Sequence, residues 1–321
     1  PTGGPQYVVD GTVVNAGAIS TSGSGSSFAF NAGSSYQHTQ NAGTVPTATW
    51  NAASTCEIAG TVGTVPAGLG QTFGNFIWDC PGHTGALNIN GLTAVNGNLT
   101  ITDTGTGSLS WINANATKTI GGNLNIQGGT FIFTITGTGG RTLSVTGDLN
   151  LSGGTFDFCT SGAGTPTLSL AGNYNQTGGT FQNSSGTLAV NFTGVGTTFT
   201  QSAGTLTTTA MNFNVNSPAS LTLNQDMSIS ASRTLTVASG ATLNCGASLV
   251  TGAGSFTLSA GGTLGIGDPN GITTTATGTG SNAGTIRTAT RTFTSGASYI
   301  YNGTAAQVTG NGMPTAASAI L

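Results

Sequence analysis

The chain has 321 residues, of which 54 are glycine and only 4% are charged, and its formal net charge is −3. Five Lys and Arg residues are too few for a phosphate-binding surface, so the sequence excludes nucleic acid as a partner. Disorder is excluded because 36% of the residues are apolar and recur at fixed spacing. No apolar run approaches the ~18 residues of a membrane span, so no membrane span is predicted.

The first two segments are predicted to be coils at the N-terminal end of one continuous solenoid. Residues 1–50 form N-terminal coils or a capping block similar to the C-terminal block, and residues 51–94 contain the pair Cys56 and Cys80. The pair is separated by almost one coil of the repeat described below, which would place the two Cα atoms about 5 Å apart on adjacent coils. We therefore predict a disulfide between Cys56 and Cys80, with two buried free thiols as the alternative.

Residues 95–206 repeat with a period of 25 residues. One apolar series consists of Val95, Ile120, Val145, Leu170 and Val195. Two further apolar series consist of Leu99, Leu124, Leu149, Tyr174 and Phe199, and of Phe131, Phe156 and Phe181. A polar series consists of Asn98, Asn123, Asp148 and Asn173. A fixed period of this size is typical of repeat proteins, in which each unit buries its apolar face against its neighbours.

Each 25-residue copy is predicted to contain three short strands. Leu149 and Leu151 point one way and Asn150 the other, and this alternation changes phase at Gly153 and Gly154. A period of two that slips at a glycine pair indicates two strands meeting at a corner. With a third strand before them, the pattern predicts an all-β fold, a single-stranded parallel β-helix (β-solenoid). Like residues then stack as ladders, about 4.8 Å apart.

Residues 207–321 are predicted to contain less regular coils and the C-terminal block. Residues 30–36 resemble residues 293–299, and each segment leads to a proline, Pro46 or Pro314. This similarity predicts a slice of a tandem array or a subunit that stacks end to end. Chance similarity in a biased composition is the alternative.

Three segments resemble modules of large secreted surface proteins of the Bacteroidota type: residues 71–80, 255–272 and 293–314. Together with the coils, the resemblance touches most of the chain. It implies an adhesin-like β-helical repeat protein that is exported to the cell surface. It implies no catalytic residues.

Candidate residues for catalysis or metal binding are few. Asp148 and Asp157 share a coil and could bind a cation or act on a sugar. We expect instead that Asp148 replaces an asparagine of the polar series and that Asp157 faces solvent. His38 and His83 have no metal-ligand spacing and are expected at the surface or at corners. The sequence therefore predicts no catalytic residue, no metal and no cofactor.

Pairs of threonines separated by one residue raise the possibility of an ice-binding face. Examples are Thr207 with Thr209 and Thr234 with Thr236. Such a face needs these pairs in register on successive coils. The sequence spacing indicates that they are out of register, so no ice-binding face is expected.

The sequence predicts an extracellular structural protein: a subunit or repeat segment of a cell-surface fibre, filament or adhesin stalk. Open solenoid ends present unpaired strand edges that need a cap. The expected partner is another copy of the chain, head to tail, or the adjacent repeats of a longer chain. The candidate interface residues are Tyr7, Val8, Val9, Tyr299, Tyr301, Ala319, Ile320 and Leu321.

The alternative function is a carbohydrate-binding or carbohydrate-cleaving β-helix whose partners are surface glycans. This alternative needs aromatic side chains that stand outward in one groove beside Asp148 and Asp157. Its candidates are Trp50, Trp78, Trp111, Tyr299 and Tyr301. A passive stalk that carries a separate binding domain is a third possibility.

Overall fold

The computed structural model describes residues 6–19, 26–112, 116–135, 140–274, 284–314 and 318–320. Within these ranges the strands form sheets of 3, 11 and 18 strands with parallel pairing, and the single helical element is a 3-10 turn at Thr208–Ala210. No helix of this part of the chain is long and apolar enough to cross a membrane. The protein is a β-solenoid whose successive coils are ~23 residues apart, which confirms the predicted fold class.

Each coil has up to three strands, which we assign to three faces. Face 1 contains Gln6–Val9, Ser27–Phe30, Ala48–Trp50, Thr72–Phe73, Ala94–Val95, Thr117–Ile120, Thr142–Val145, Thr167–Leu170, Leu188–Phe192, Met211–Val215, Thr234–Val237 and the later parts of Val250–Leu258 and Ile286–Phe293. Face 2 contains Thr12–Asn15, Ser35–His38, Thr55–Ile58, Asn75–Asp79, Leu99–Asp103, Leu124–Ile126, Leu149–Leu151, the first parts of Tyr174–Gln182 and Thr197–Leu206, Ser220–Leu223, Thr242–Asn244, Thr263–Ile266, Ser298–Tyr301 and Ser318–Ile320. Face 3 contains Ala86–Asn88, Ser108–Ile112, Thr130–Thr134, Thr155–Cys159 and the last parts of Tyr174–Gln182 and Thr197–Leu206. The short strand Met227–Ser228 pairs with the start of Val250–Leu258.

One continuous apolar core fills the interior, because side chains alternate inward and outward along each strand. Aromatic rings stack on one another where successive coils place them in the same column. The ring centroids of Phe156 lie 5.5 Å from those of Phe131 and 5.0 Å from those of Phe181. Tyr174 and Phe199 stack at 4.8 Å. The core therefore depends on contacts between neighbouring coils, as expected for a repeat protein.

The predicted ladders are confirmed from Leu99 to Phe199 and from Phe131 to Phe181. The ladder that begins at Val95 is correct only as far as Leu170, whose partner in the next coil is Phe192. Val195 is 71% exposed at a corner. The prediction for Val195 was wrong because the next coil is shorter on this face, so a fixed 25-residue period loses the register.

The similarity between the two terminal blocks has a local cause. Residues 30–36 and 293–299 both form the corner that leads from face 1 to face 2, and the same corner occurs at residues 50–56, 215–221, 237–243 and 258–264. In each of these corners a backbone N–H donates to the carbonyl three residues earlier. Four of them have glycine with φ between 74° and 83° at the position before that N–H, as a type II turn requires. A recurring corner explains the similarity, which therefore no longer supports a tandem array.

Candidate functional site: faces and ends of the solenoid

The cysteines predicted to form a disulfide are free and buried. Coils in this region are about 20 residues long, so Cys56 lies between Tyr36 and Phe76 and not beside Cys80. The thiol of Cys80 donates to the carbonyl of Ile58 over 3.2 Å. The predicted disulfide was wrong, and the alternative of two buried thiols is correct. Burial raises the pKa of Cys80 to about 11 and that of Cys56 well above its usual value, so neither is a reactive thiolate.

The aromatic residues considered for sugar binding form no outward groove. Trp78, Trp111 and Tyr299 are fully buried, and Trp50 is 7% exposed. Tyr301 is half-buried, and its hydroxyl donates to the carbonyl of Thr309. These rings belong to the core or to the C-terminal block. They therefore do not provide the outward aromatic surface that a carbohydrate-binding groove would need.

The two candidate acids each accept hydrogen bonds within the protein. Asp148 takes the place of an asparagine, as predicted, and its Oδ1 accepts the backbone N–H of Asn173 over 2.7 Å. Asp157 is only 4% exposed, so the prediction that it faces solvent was wrong. Its carboxylate accepts from the side-chain amide of Gln182 and from the backbone N–H and hydroxyl of Ser184. Both carboxylates therefore bind neighbouring coils together, and neither is directed at an open site.

Polar ladders along face 2 use most of its amide groups. In the series Asn75, Asn98, Asn123, Asp148 and Asn173, each Oδ1 accepts the backbone N–H of the corresponding residue in the next coil. On the outward side, Asn125 donates to Thr100, Asn150 to Asn125, and Asn175 to Asn150, over 2.9–3.1 Å. These hydrogen bonds stabilise the stack and leave face 2 with few free amide groups for a ligand.

Both histidines are buried, so the expected surface position was wrong, although His83 does lie at a corner, between the strands Asn75–Asp79 and Ala86–Asn88. The ring nitrogens of His38 contact the hydroxyl of Tyr36 and the carbonyl of Ala42. The ring nitrogens of His83 have no hydrogen-bond partner, and the ring packs against Trp78 at a centroid distance of 5.8 Å. Within the described ranges, no group of three His, Cys, Asp or Glu residues could hold a metal ion.

His83 should make the stability of the protein depend on pH. Desolvation lowers the pKa of His83 in the folded state below its ordinary value of about 6.5. The unfolded chain therefore binds more protons as the pH falls through about 6.5, and the free energy of unfolding decreases. We expect this decrease in urea unfolding between pH about 7.5 and about 5.5, and a smaller decrease in a His83→Leu variant. The same decrease in both proteins would contradict the assignment to His83.

The two ends of the solenoid have strand edges that are paired on one side. In the described structure, Gln6–Val9 pairs only with Ser27–Phe30, and Thr12–Asn15 only with Ser35–His38. At the other end, Ser318–Ile320 pairs only with Ser298–Tyr301. Tyr7 is aligned with the inward residue Phe28 yet is 40% exposed, and Val8 is 53% exposed. The N-terminal edge therefore combines open backbone groups with exposed apolar side chains.

The structure separates the predicted interface residues into two groups. Tyr7, Val8 and Val9 lie on the N-terminal edge strand. Tyr299 is buried beneath the last strand, and Tyr301 is held within the C-terminal block, so neither was correctly placed at an open end. The backbones of Ala319 and Ile320 belong to the last strand, whereas Leu321 lies outside the described residues.

Face 1 carries hydroxyl-bearing residues in register, contrary to the sequence-based expectation. Thr207 and Thr209 lie in the segment of the 3-10 turn and take no part. Thr234 and Thr236, however, align with Ser255 and Thr257 of the next coil. The spacing of threonine pairs in the sequence does not reveal this alignment, because the number of residues between successive coils on this face changes from 25 to 22 and then to 21.

Comparisons of the chain with protein-family models, with curated proteins and with solved structures found no match. The functional conclusions below therefore depend on the geometry and the sequence alone.

Proposed function

We propose that this chain is a structural segment of an extracellular surface fibre, filament or adhesin stalk. The observation that carries the proposal is the pair of solenoid ends whose strand edges are paired on one side. The strand pairings at both ends of the described structure are parallel, so an N-terminal edge and a C-terminal edge present backbone groups that can complete each other. The partner is a second copy of the chain or the adjacent repeats of a longer chain.

Stacking of this kind joins different surfaces of successive units. Such a head-to-tail contact does not close on itself, so it produces a filament. The exposed, inward-aligned ring of Tyr7 supports the contact, because a further coil would cover it as Phe28 covers its other side. The buried aromatic residues and the internally bonded carboxylates support a structural role over an enzymatic one.

An extracellular location is supported by the resemblance of three segments to secreted surface proteins of the Bacteroidota type. The four cysteines are buried and do not serve as evidence of the compartment.

A charge at the N-terminal edge should prevent assembly. Tyr7→Lys places an ammonium group in the inward column, where the next coil would bury it without a partner. Sedimentation velocity should show concentration-dependent assemblies for the parent chain and single units for Tyr7→Lys. Val195→Lys is the matched control, because Val195 is exposed at a corner far from both ends, and it should assemble like the parent.

A parent chain that sediments as a single unit at every concentration would contradict head-to-tail assembly. Equal assembly of Tyr7→Lys and the parent would show that the contact does not involve this edge.

A further inference from the structure

The middle of face 1 carries two parallel columns of small polar side chains across eight successive coils. We call these sixteen positions the face 1 array. The first column consists of Thr117, Thr142, Thr167, Ala189, Asn212, Thr234, Ser255 and Thr290. The second column consists of Thr119, Ser144, Ser169, Asn191, Asn214, Thr236, Thr257 and Thr292. Twelve of the sixteen residues are Thr or Ser, and none is charged or aromatic.

The hydroxyl groups of the array are available to an external ligand. All sixteen residues are exposed or partly exposed. None of the twelve hydroxyl groups has a hydrogen-bond partner among the described residues, whereas the asparagines of the array use some of their groups on each other, as Asn214 does with Asn191. Face 2 differs, because its amide ladders are bonded from coil to coil. Face 3 also carries hydroxyls without a partner in the described structure, but they form the single column Thr130, Thr155, Thr180 and Thr205, whereas face 1 presents two parallel columns.

The array is held rigidly by the core beneath it. Between its two columns run inward residues such as Leu143, Leu168 and Leu235, which are fully buried. Threonine itself has a restricted χ1 angle, since it is branched at Cβ. The hydroxyl and methyl groups are thus fixed in a regular lattice before any ligand arrives.

The spacings of this lattice are set by β-sheet geometry. Equivalent residues of neighbouring coils lie about 4.8 Å apart, and the two columns lie about 6.7 Å apart along each strand. Both spacings are close to oxygen repeats in the faces of hexagonal ice. Lys118 and Arg291, the cationic residues that lie between the two columns, stand at the inward positions and donate to backbone carbonyls, so they do not interrupt the lattice.

We propose that the face 1 array binds the surface of ice. A neutral, rigid, two-dimensional array of hydroxyl and methyl groups matches ordered water in its repeat and in its lack of charge. A polysaccharide surface is the less favoured ligand, because the array offers no aromatic ring on which a sugar could stack. This binding does not require end-to-end assembly, although a filament would extend the lattice.

The experiment compares the intact parent chain with variants in assays of ice growth. Thermal hysteresis, ice recrystallisation and adsorption to a growing ice hemisphere are measured for each protein. Thr167→Tyr places a bulky ring in the middle of the array, and Thr155→Tyr places the same ring on face 3. Thr167→Val removes only the hydroxyl and keeps the shape. Circular dichroism and thermal unfolding establish that each variant is folded.

The parent and Thr155→Tyr should adsorb to ice and slow its recrystallisation, and Thr167→Tyr should lose most of this activity. Thr167→Val should retain part of the activity, and its folded state keeps the test valid if the tyrosine variant does not fold. A parent chain without effect on ice would overturn the proposal, as would equal losses in Thr167→Tyr and Thr155→Tyr. Retention of the parent on crystalline cellulose or chitin, without any adsorption to ice, would assign the array to carbohydrate instead.

Discussion

Phe156→Ala should lower the free energy of unfolding by about 3–5 kcal/mol. Phe156 is fully buried, and its ring lies between the rings of Phe131 and Phe181 at centroid distances of 5.5 and 5.0 Å. The substitution removes the apolar contacts and leaves a cavity between two coils that cannot close, because the backbone hydrogen bonds fix their separation. Chemical denaturation monitored by circular dichroism measures the loss.

The control for this prediction is Thr155→Ala, one residue earlier on the outward side of the same strand. Its effect should stay within about 0.5 kcal/mol, as for surface substitutions in general. Similar effects of Phe156→Ala and Thr155→Ala would contradict the account of a core made of stacked rings.

Gly179→Ala should destabilise the protein by about 3 kcal/mol or more. The backbone of Gly179 has φ of +61°, which residues with a Cβ rarely adopt. A Cβ at this position would lie 2.5 Å from the carbonyl oxygen of Gly153 in the preceding coil. The clash is with backbone and not with a movable side chain, so the corner between faces 2 and 3 must shift. Thermal unfolding should show a large decrease in Tm.

Gly63→Ala is the matched control, because a Cβ there would have no neighbour within 4 Å and its φ is not positive. This variant should be as stable as the parent or slightly more stable, since alanine restricts the unfolded chain. A Tm for Gly179→Ala equal to that of Gly63→Ala would contradict the close approach of corners in successive coils.

The fold could be predicted from the sequence because the same pattern of apolar and polar residues recurs in several successive coils. Leu99, Leu124 and Leu149 recur at the spacing of one coil, and the structure places them in one column. The 25-residue period no longer identifies stacked residues where corners change length. An insertion or deletion at a corner leaves the strands stacked but changes the number of residues between equivalent positions. This is why Val195, and the pairing of Cys56 with Cys80, were predicted incorrectly.

The details of individual side chains were less predictable from the sequence. Asp157 is buried because Gln182 and Ser184 of the next coil supply donors, and no local pattern around Asp157 reveals them. His83 is buried, although its neighbours Gly82, Thr84 and Gly85 are typical of an exposed corner. The face 1 array was missed for a related reason: its residues are separated by 25, 25, 22, 23, 22, 21 and 35 positions in turn. Only the strand register brings them together.

The central claim is that the open strand edges are completed by another solenoid end. Electron microscopy of the parent chain in vitreous ice tests this most directly. The account predicts filaments in which layers about 4.8 Å apart continue without interruption through each junction, with Gln6–Val9 and Thr12–Asn15 facing the C-terminal edge of the next unit. Isolated rods, or rods joined side by side with their ends free, would contradict it.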